Sequence, residues 1–419
     1  MKRIFFVVFM FFTILTALCQ YWSLPPIAML SSCTRFVAVF ICAEIYDGDI
    51  KTAEQLSLKA KTHCLNDVGN NSENNRRLVE TQIPGVAFER KQNGQNYTDK
   101  IPFVFEDMNT MYLSELRSAN FLDRIVRDSE TEYEAMLDLA AWVGTRWDHG
   151  IGELPLEGYY DPSAILSSAS HGKKYWCEVA AIFTVQAATS LGWPARLVAA
   201  HRIDGHRHAV AELWSNEFAK WFVVDADYNL VYEVDGVPLS AFELCHNGQS
   251  LQSSGQLTLR RFAPLKASLE SIDLIPFYRY IHIDLRNDWY SRKLRRGSPA
   301  GGDLATWWTA RPSLKRLLTA KVRVDSERKF NWPVNIVSIR AVGVKESKEG
   351  SSVLEIALSA YAPYFDHFQI SLDNDLWKDL ESCRYEWSIK KGRHCLRTRV
   401  VTLAAFPEPG PINEVCYQR

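Results

Sequence analysis

Between residues 111 and 191 the apolar positions recur every three to four residues, and from 195 to 226 they close up into short runs. The first pattern suits helices with one buried stripe, the second suits strands. In LSELRSANFLDRIVRD, Leu113, Leu116, Phe121, Ile125 and Val126 fall at helical intervals. A second helix is expected from Asp128-Ser129, with Ser129 as N-cap and Glu132 three residues on. It buries Met136, Leu139, Ala140, Trp142 and Val143 and ends near Trp147-Asp148-His149-Gly150, where Asp148 and His149 either border a groove or form a C-terminal cap. The loop GIGELPLEGYYDPS and a short helical piece, AILSSAS, lead to a long helix opening at Cys177. Its Val179, Ile182, Phe183, Gln186, Ala187 and Leu191 keep a helical period, and Gly192 and Pro194 stop it. The strands ARLVAAHR, HAVAELW and KWFVVDA follow, the last two joined by SNEFAK. A helix followed by antiparallel strands predicts an α+β core, with that helix packed on an antiparallel sheet.

The flanks have other textures. Residues 1–24 join a positive start, Met1-Lys2-Arg3, to an apolar run from Ile4 to Leu24, near the ~20 residues that span a bilayer. They read as a signal peptide or an N-terminal membrane anchor, which places the protein outside the cytoplasm: periplasmic, on the cell surface or secreted. Residues 25–110 form an N-terminal extension, with a helical stretch at 53–60 and strand-like pieces around Asn93-Gly94. The core runs over 111–260. A connecting region, 261–330, contains a strand candidate, FYRYIHIDL. Over 331–419 short alternating segments, split by Pro, Asn-Asp and Lys-Gly turns, predict a small β-sandwich.

Composition narrows the function classes. The 419 residues are 47% hydrophobic and 23% charged with a net charge of −1, so buried cores are well supplied and the basic footprint of a nucleic-acid protein is absent. The short cluster Arg292, Lys293, Arg295, Arg296 reads as a solvated face. Nine cysteines show no CxxC pair or Cys/His cluster with zinc-site spacing, so neither a metal nor a cofactor is expected. Cys383 and Cys395 flank a hairpin candidate, but a two-residue turn at Lys391-Gly392 sets Cys395 opposite Ser388, and a bridge between the two cysteines does not follow. Glu212 reads as a surface or groove position.

The chemistry concentrates in 175–229. A free thiol has a pKa of about 8.5, and making thiolate the majority form at neutral pH takes roughly 2–3 kcal/mol of preferential stabilisation. A helix N-terminus supplies ~0.3–1 kcal/mol, so a thiol at the start of a helix, such as Cys177, still needs a histidine partner. His208 opens a strand; His206 lies in the turn before it. If the following hairpin turns between 216 and 217, Asp225 falls opposite His208 and Asp227 opposite His206, and the first pair is preferred.

Three pieces carry a resemblance: WCEVAAIFTVQAATSLGWPAR, HAVAELW and KWFVVDADYN. In order and residue type they resemble the transglutaminase-like superfamily, whose members share a papain-like Cys-His-Asp core. The helical AAWVGTRWDHG resembles the family's lead-in helix. The resemblance implies Cys177 as nucleophile, His208 as general base and acid, and Asp225 as orienting residue. Where the family commonly has glycine two residues before the cysteine, this chain has Tyr175-Trp176, leaving the Trp176 side chain or the Cys177 backbone N–H to form an oxyanion hole. The last ninety residues resemble Ig-like C-terminal modules of exported bacterial proteins. The activity implied is cleavage or transfer of an amide bond through an acyl-enzyme, on a peptide, protein or glycopeptide substrate. The alternative is an inactive scaffold whose β-sandwich binds a surface carbohydrate or protein.

Overall fold

A computed structural model describes residues 83, 86–91, 103–155, 161–289, 305–309, 322–324, 327–346, 351–380 and 382–419. The apolar run at 4–24, the helix expected at 53–60, the Asn93-Gly94 turn and the basic cluster at 292–296 lie outside the described residues. No described helix is long and apolar enough to cross a membrane.

Strand β1 (Ala87–Lys91) precedes helices α1 (Met111–Ala119), α2 (Leu122–Arg127), α3 (Glu132–Gly144), α4 (Pro162–Ser170) and α5 (Cys177–Ser190). Next come β2 (Ala195–His201), β3 (Arg207–Ser215), β4 (Lys220–Val224), β5 (Leu230–Val234), β6 (Val237–Pro238), α6 (Ala241–Ser253), β7 (Thr258–Arg261) and β8 (Tyr280–Asp284). After β9 (Ala305–Trp308), β10 (Val322–Arg323) and α7 (Glu327–Phe330), the central sheet is complete, in the order β10-β9-β8-β2-β3-β4. Only its β9–β10 pair is parallel. Where the sequence suggests a connecting region, β8 and β9 therefore extend the core sheet.

The sheet is apolar on both faces, which explains why its strands read as runs rather than alternating polar and apolar positions. Leu197, Ala211, Leu213, Phe222 and Val224 face one core, shared with Leu139, Val143, Val179, Ile182 and Phe183 of α3 and α5. Val198, Val210, Trp214, Trp221 and Val223 face a second, shared with Phe242, Leu244, Ile281, Phe330 and Trp332. Helix α5 is buried at every position from Val179 to Ser190. Its end is shaped by Gly192 (φ +80°), where a Cβ would lie 2.9 Å from the Ala404 Cα of the C-terminal segment.

The start of α3 differs from the sequence reading. Its N-cap is Thr131, which accepts from the Glu134 N–H, while Ser129 Oγ donates to Asp138. Glu132 is thus at the first helical position and its side chain turns inward. Its Oε2 accepts from Ser215 Oγ and from the Glu217 N–H, both at 3.0 Å, and so holds the β3–β4 turn. Burial pushes this carboxyl up to about 8, against the opposing hydrogen bonds from Glu217 and Ser215. A carboxyl raised on folding costs stability once it ionises, so stability is expected to fall between about pH 4.5 and 8 by on the order of 4 kcal/mol. Glu132→Gln keeps an acceptor for both donors and should flatten that slope. Thermal denaturation at pH 5 and pH 8 checks it, and an unchanged slope in the variant would count against the assignment.

Seven more strands follow: β11 (Val337–Glu346), β12 (Ser352–Ala360), β13 (Phe365–Leu372), β14 (Lys378–Leu380), β15 (Arg384–Ser388), β16 (Arg393–Thr402) and β17 (Asn413–Gln418). They form two sheets, β1-β17-β16-β13-β14 and β11-β12-β15, over one shared core that includes Ile339, Leu354, Phe368, Trp387, Leu396 and Tyr417. The expected hairpin at Lys391-Gly392 is not one. Trp387 and Ile389 point into the shared core, and the chain crosses there from one sheet to the other. Cys395 consequently faces Cys416 on β17 rather than Ser388, and the two are joined by a disulfide.

Candidate active site

Cys177 is the first residue of α5, half-buried, with its thiol unbridged. Trp176 is the N-cap but offers no side-chain cap; its carbonyl accepts from the Val179 and Ala180 N–H groups. The Trp176 ring is half-buried and packs against the first core. The approach to the helix is pinned by a short backbone pairing, in which Gly150 N–H donates to the Tyr175 carbonyl (3.1 Å) and Tyr175 N–H to that of Asp148 (3.4 Å). Tyr175 is fully buried, edge-on against Trp147 at 5.6 Å. Residues 148–150 are therefore an extended segment beside the cysteine's lead-in, not a helix cap.

His208, near the start of β3, is 5% exposed, and Asp225 just beyond β4 is fully buried. The His208 Nε2 lies 2.6 Å from Asp225 Oδ2. The other carboxylate oxygen accepts from the backbone N–H groups of Asp227 (3.1 Å) and Tyr228 (3.0 Å), so Asp225 is held from both sides. Tyr228 and Phe277 set their rings edge-on to the imidazole, at 5.6 and 5.8 Å. Burial by itself lowers the imidazole pKa, but the Asp225 charge and hydrogen bond, followed by a hydrogen bond with Cys177, leave it well above 6.5. The chain thus brings Cys177, His208 and Asp225 together.

The pairing that does so is not the expected one. Ala211 pairs with Val224 and Ser215 with Lys220, so the turn is centred between 217 and 218. Asp225 sits opposite Val210 by that register and reaches His208 diagonally along the same face. Asp227 does not face His206, which is exposed and bound to Asp204 (3.0 Å). It binds His149 instead, with Nδ1 at 2.7 Å from Asp227 Oδ2. Sequence reasoning missed this second histidine–aspartate pair. Its signal was the aspartate repeated two residues on, in DAD, which puts a second carboxylate in the same loop.

A glycine contact holds that loop in place. A Cβ on Gly144, at the end of α3, would lie 1.8 Å from Asn229 Oδ1 and 3.1 Å from the Ala226 carbonyl. Gly144→Ala is expected to cost ~1–3 kcal/mol and to lower turnover as well, because the Asp225 loop has to move. Melting temperature and turnover measured together check this, and full turnover in a folded variant would contradict it.

A family model described as the transglutaminase-like superfamily matches residues 119–226, the span from the end of α1 through Asp225. The chain carries a transglutaminase-like core. That core holds α5 and the β2–β4 sheet strands, while β5 to β17 continue beyond it. A solved structure from Cytophaga hutchinsonii, described as a candidate cysteine protease, is 18% identical over 31% of this chain, with a TM-score of 0.24. The matched part spans 43% of that structure's chain, and at such a score the likeness carries no argument. No curated protein matches the chain.

Proposed function

We propose that this chain is a thiol enzyme that cleaves amide bonds in peptide or protein substrates through an acyl-enzyme on Cys177. The observation that carries this reading is His208, held at 2.6 Å by a buried Asp225, with the thiol at the start of a buried helix near enough to add to the rise in its pKa. In the first step the Cys177 thiolate attacks the carbonyl carbon, the C–N bond breaks, and imidazolium His208 gives its proton to the leaving amine. The thioester then passes to an acceptor, whose proton His208 takes. The α5 N-terminus favours the thiolate and turns backbone N–H groups toward the developing oxyanion. Trp176 stands next to those groups as a groove residue.

The paired sheets of 337–418 serve, in this reading, as an Ig-like accessory module. The apolar run at 4–24 directs export, with or without an anchor. Incubation with a peptide and glycopeptide library tests the activity: cleavage products are expected from the unchanged chain and none from Cys177→Ala. Undiminished products from that variant would overturn the reading.

A further inference from the structure

Asp225 and Asp227 stand two residues apart, and each holds a histidine: His208 by Nε2 at 2.6 Å, His149 by Nδ1 at 2.7 Å. The two rings are thus gripped by opposite nitrogens. On His208 the nitrogen left open by Asp225 is Nδ1, and Cys177 adds to the rise in that ring's pKa. His149 has Nε2 left over, on a side chain 30% exposed above a carboxylate only 1% exposed. The exposed edge of the ring is therefore the one carrying Nε2.

The character of that nitrogen is set by Asp227. Lys266 Nζ lies 3.3 Å from its other oxygen. Burial alone would raise this carboxyl, but the His149 hydrogen bond and the Lys266 charge hold it below its usual range. An ionised carboxylate favours the tautomer with its proton on Nδ1, which leaves the lone pair at Nε2 whenever the ring is uncharged. A lone pair repels an oxyanion and attracts an N–H or O–H group. The segment that carries His149 runs beside the residues leading to Cys177. The His149 backbone pairs with Tyr175, two residues before Cys177, and Asp227 is within electrostatic reach of His208. The mount is rigid, with Ser268 Oγ 2.6 Å from Asp148 Oδ1 and 2.7 Å from the His149 carbonyl oxygen.

We propose that His149 is a further catalytic residue of this site, whose Nε2 accepts a hydrogen bond from the incoming acyl acceptor, a water molecule or a primary amine, and holds it for attack on the thioester. This rests on the acyl-enzyme reading above. In that step the acceptor's lone pair forms the new bond to the acyl carbon and the C–S electron pair returns to Cys177 sulfur. One acceptor proton passes to neutral His208, and the other remains hydrogen-bonded to His149. Acylation does not involve the acceptor, so His149 acts only in the second half of the reaction.

Burst kinetics on the full chain, with a p-nitrophenyl ester of an N-acylated amino acid, separate the two halves. His149→Phe is expected to keep the burst amplitude and rate, lower steady-state turnover roughly 100-fold, and accumulate acyl adduct on Cys177. Asp227→Asn, which releases the tautomer, should show the same split at about 10-fold, and decides the matter alone if His149→Phe does not fold. Alkylation of Cys177 by iodoacetamide should proceed at the unchanged rate in His149→Phe. Wild-type turnover in the variants, or burst and turnover falling together, would overturn the inference. If the unchanged chain forms no adduct on Cys177, it is the acyl-enzyme reading that fails, and this inference with it.

Discussion

Replacing His208 with Asn is expected to lower amide turnover about 10⁴-fold, the upper range for a positioned acid–base group. The pH profile should change shape as well as height. Burial opposes the charged ring, yet Asp225 and then Cys177 keep its pKa well above 6.5. In the proposed mechanism, the imidazolium that protonates the leaving amine therefore persists at neutral pH and is lost as pH rises through the raised value. Turnover of the unchanged enzyme should show an alkaline limb well above pH 6.5, and the residual activity of His208→Asn should lack it. The same shift adds stability that is fully present at acid pH and fades over that alkaline window. A pH–rate profile with no alkaline limb in the unchanged enzyme would remove His208 as the acid.

The largest stability effect is expected at Arg196, on β2. Its guanidinium and the Glu212 carboxylate on β3 are both fully buried, 2.6 Å apart. Arg196 also donates to the Phe330 carbonyl (2.8 Å) and lies over the Trp221 and Trp332 rings at 4.2 and 4.7 Å. Glu212 in turn accepts from the Ala241 N–H at the start of α6 (2.7 Å). One pair thus ties two sheet strands to α6 and α7. Arg196→Met leaves Glu212 as an unpaired buried charge and is expected to cost ~3–5 kcal/mol, whereas the double change Arg196→Met with Glu212→Leu should recover much of it. Denaturant unfolding of the two variants checks this. A single variant as stable as the unchanged chain would show that the pair does not secure the sheet.

Glu212 also shows where reading the sequence falls short. Charged residues inside apolar runs are usually surface positions. Yet Arg196 and Glu212 are direct cross-strand partners, as Val198 and Val210 are. The hairpin turn at 202–206 sets that register, so the pair was legible in principle. The site was legible because its parts are local: a helix start, a strand start and a strand end, in a fixed order. The register that joins Asp225 to His208 was not, because contacts from Glu132 in α3 hold the β3–β4 turn, and no local pattern reports them. The same holds for β1, whose Phe88 pairs with Tyr417 at the other end of the chain, and for the second histidine, which the sequence left between a groove position and a helix cap with no carboxylate partner.

The central claim is that Cys177 forms the covalent intermediate with help from His208. Acid-quenched enzyme, sampled within the first turnover of an activated ester and mapped by peptide mass spectrometry, tests it most directly. The acyl mass should sit on Cys177 and nowhere else, and should be strongly reduced at the same time point in His208→Asn. An adduct on another residue, or one formed equally well in Cys177→Ala, would contradict it.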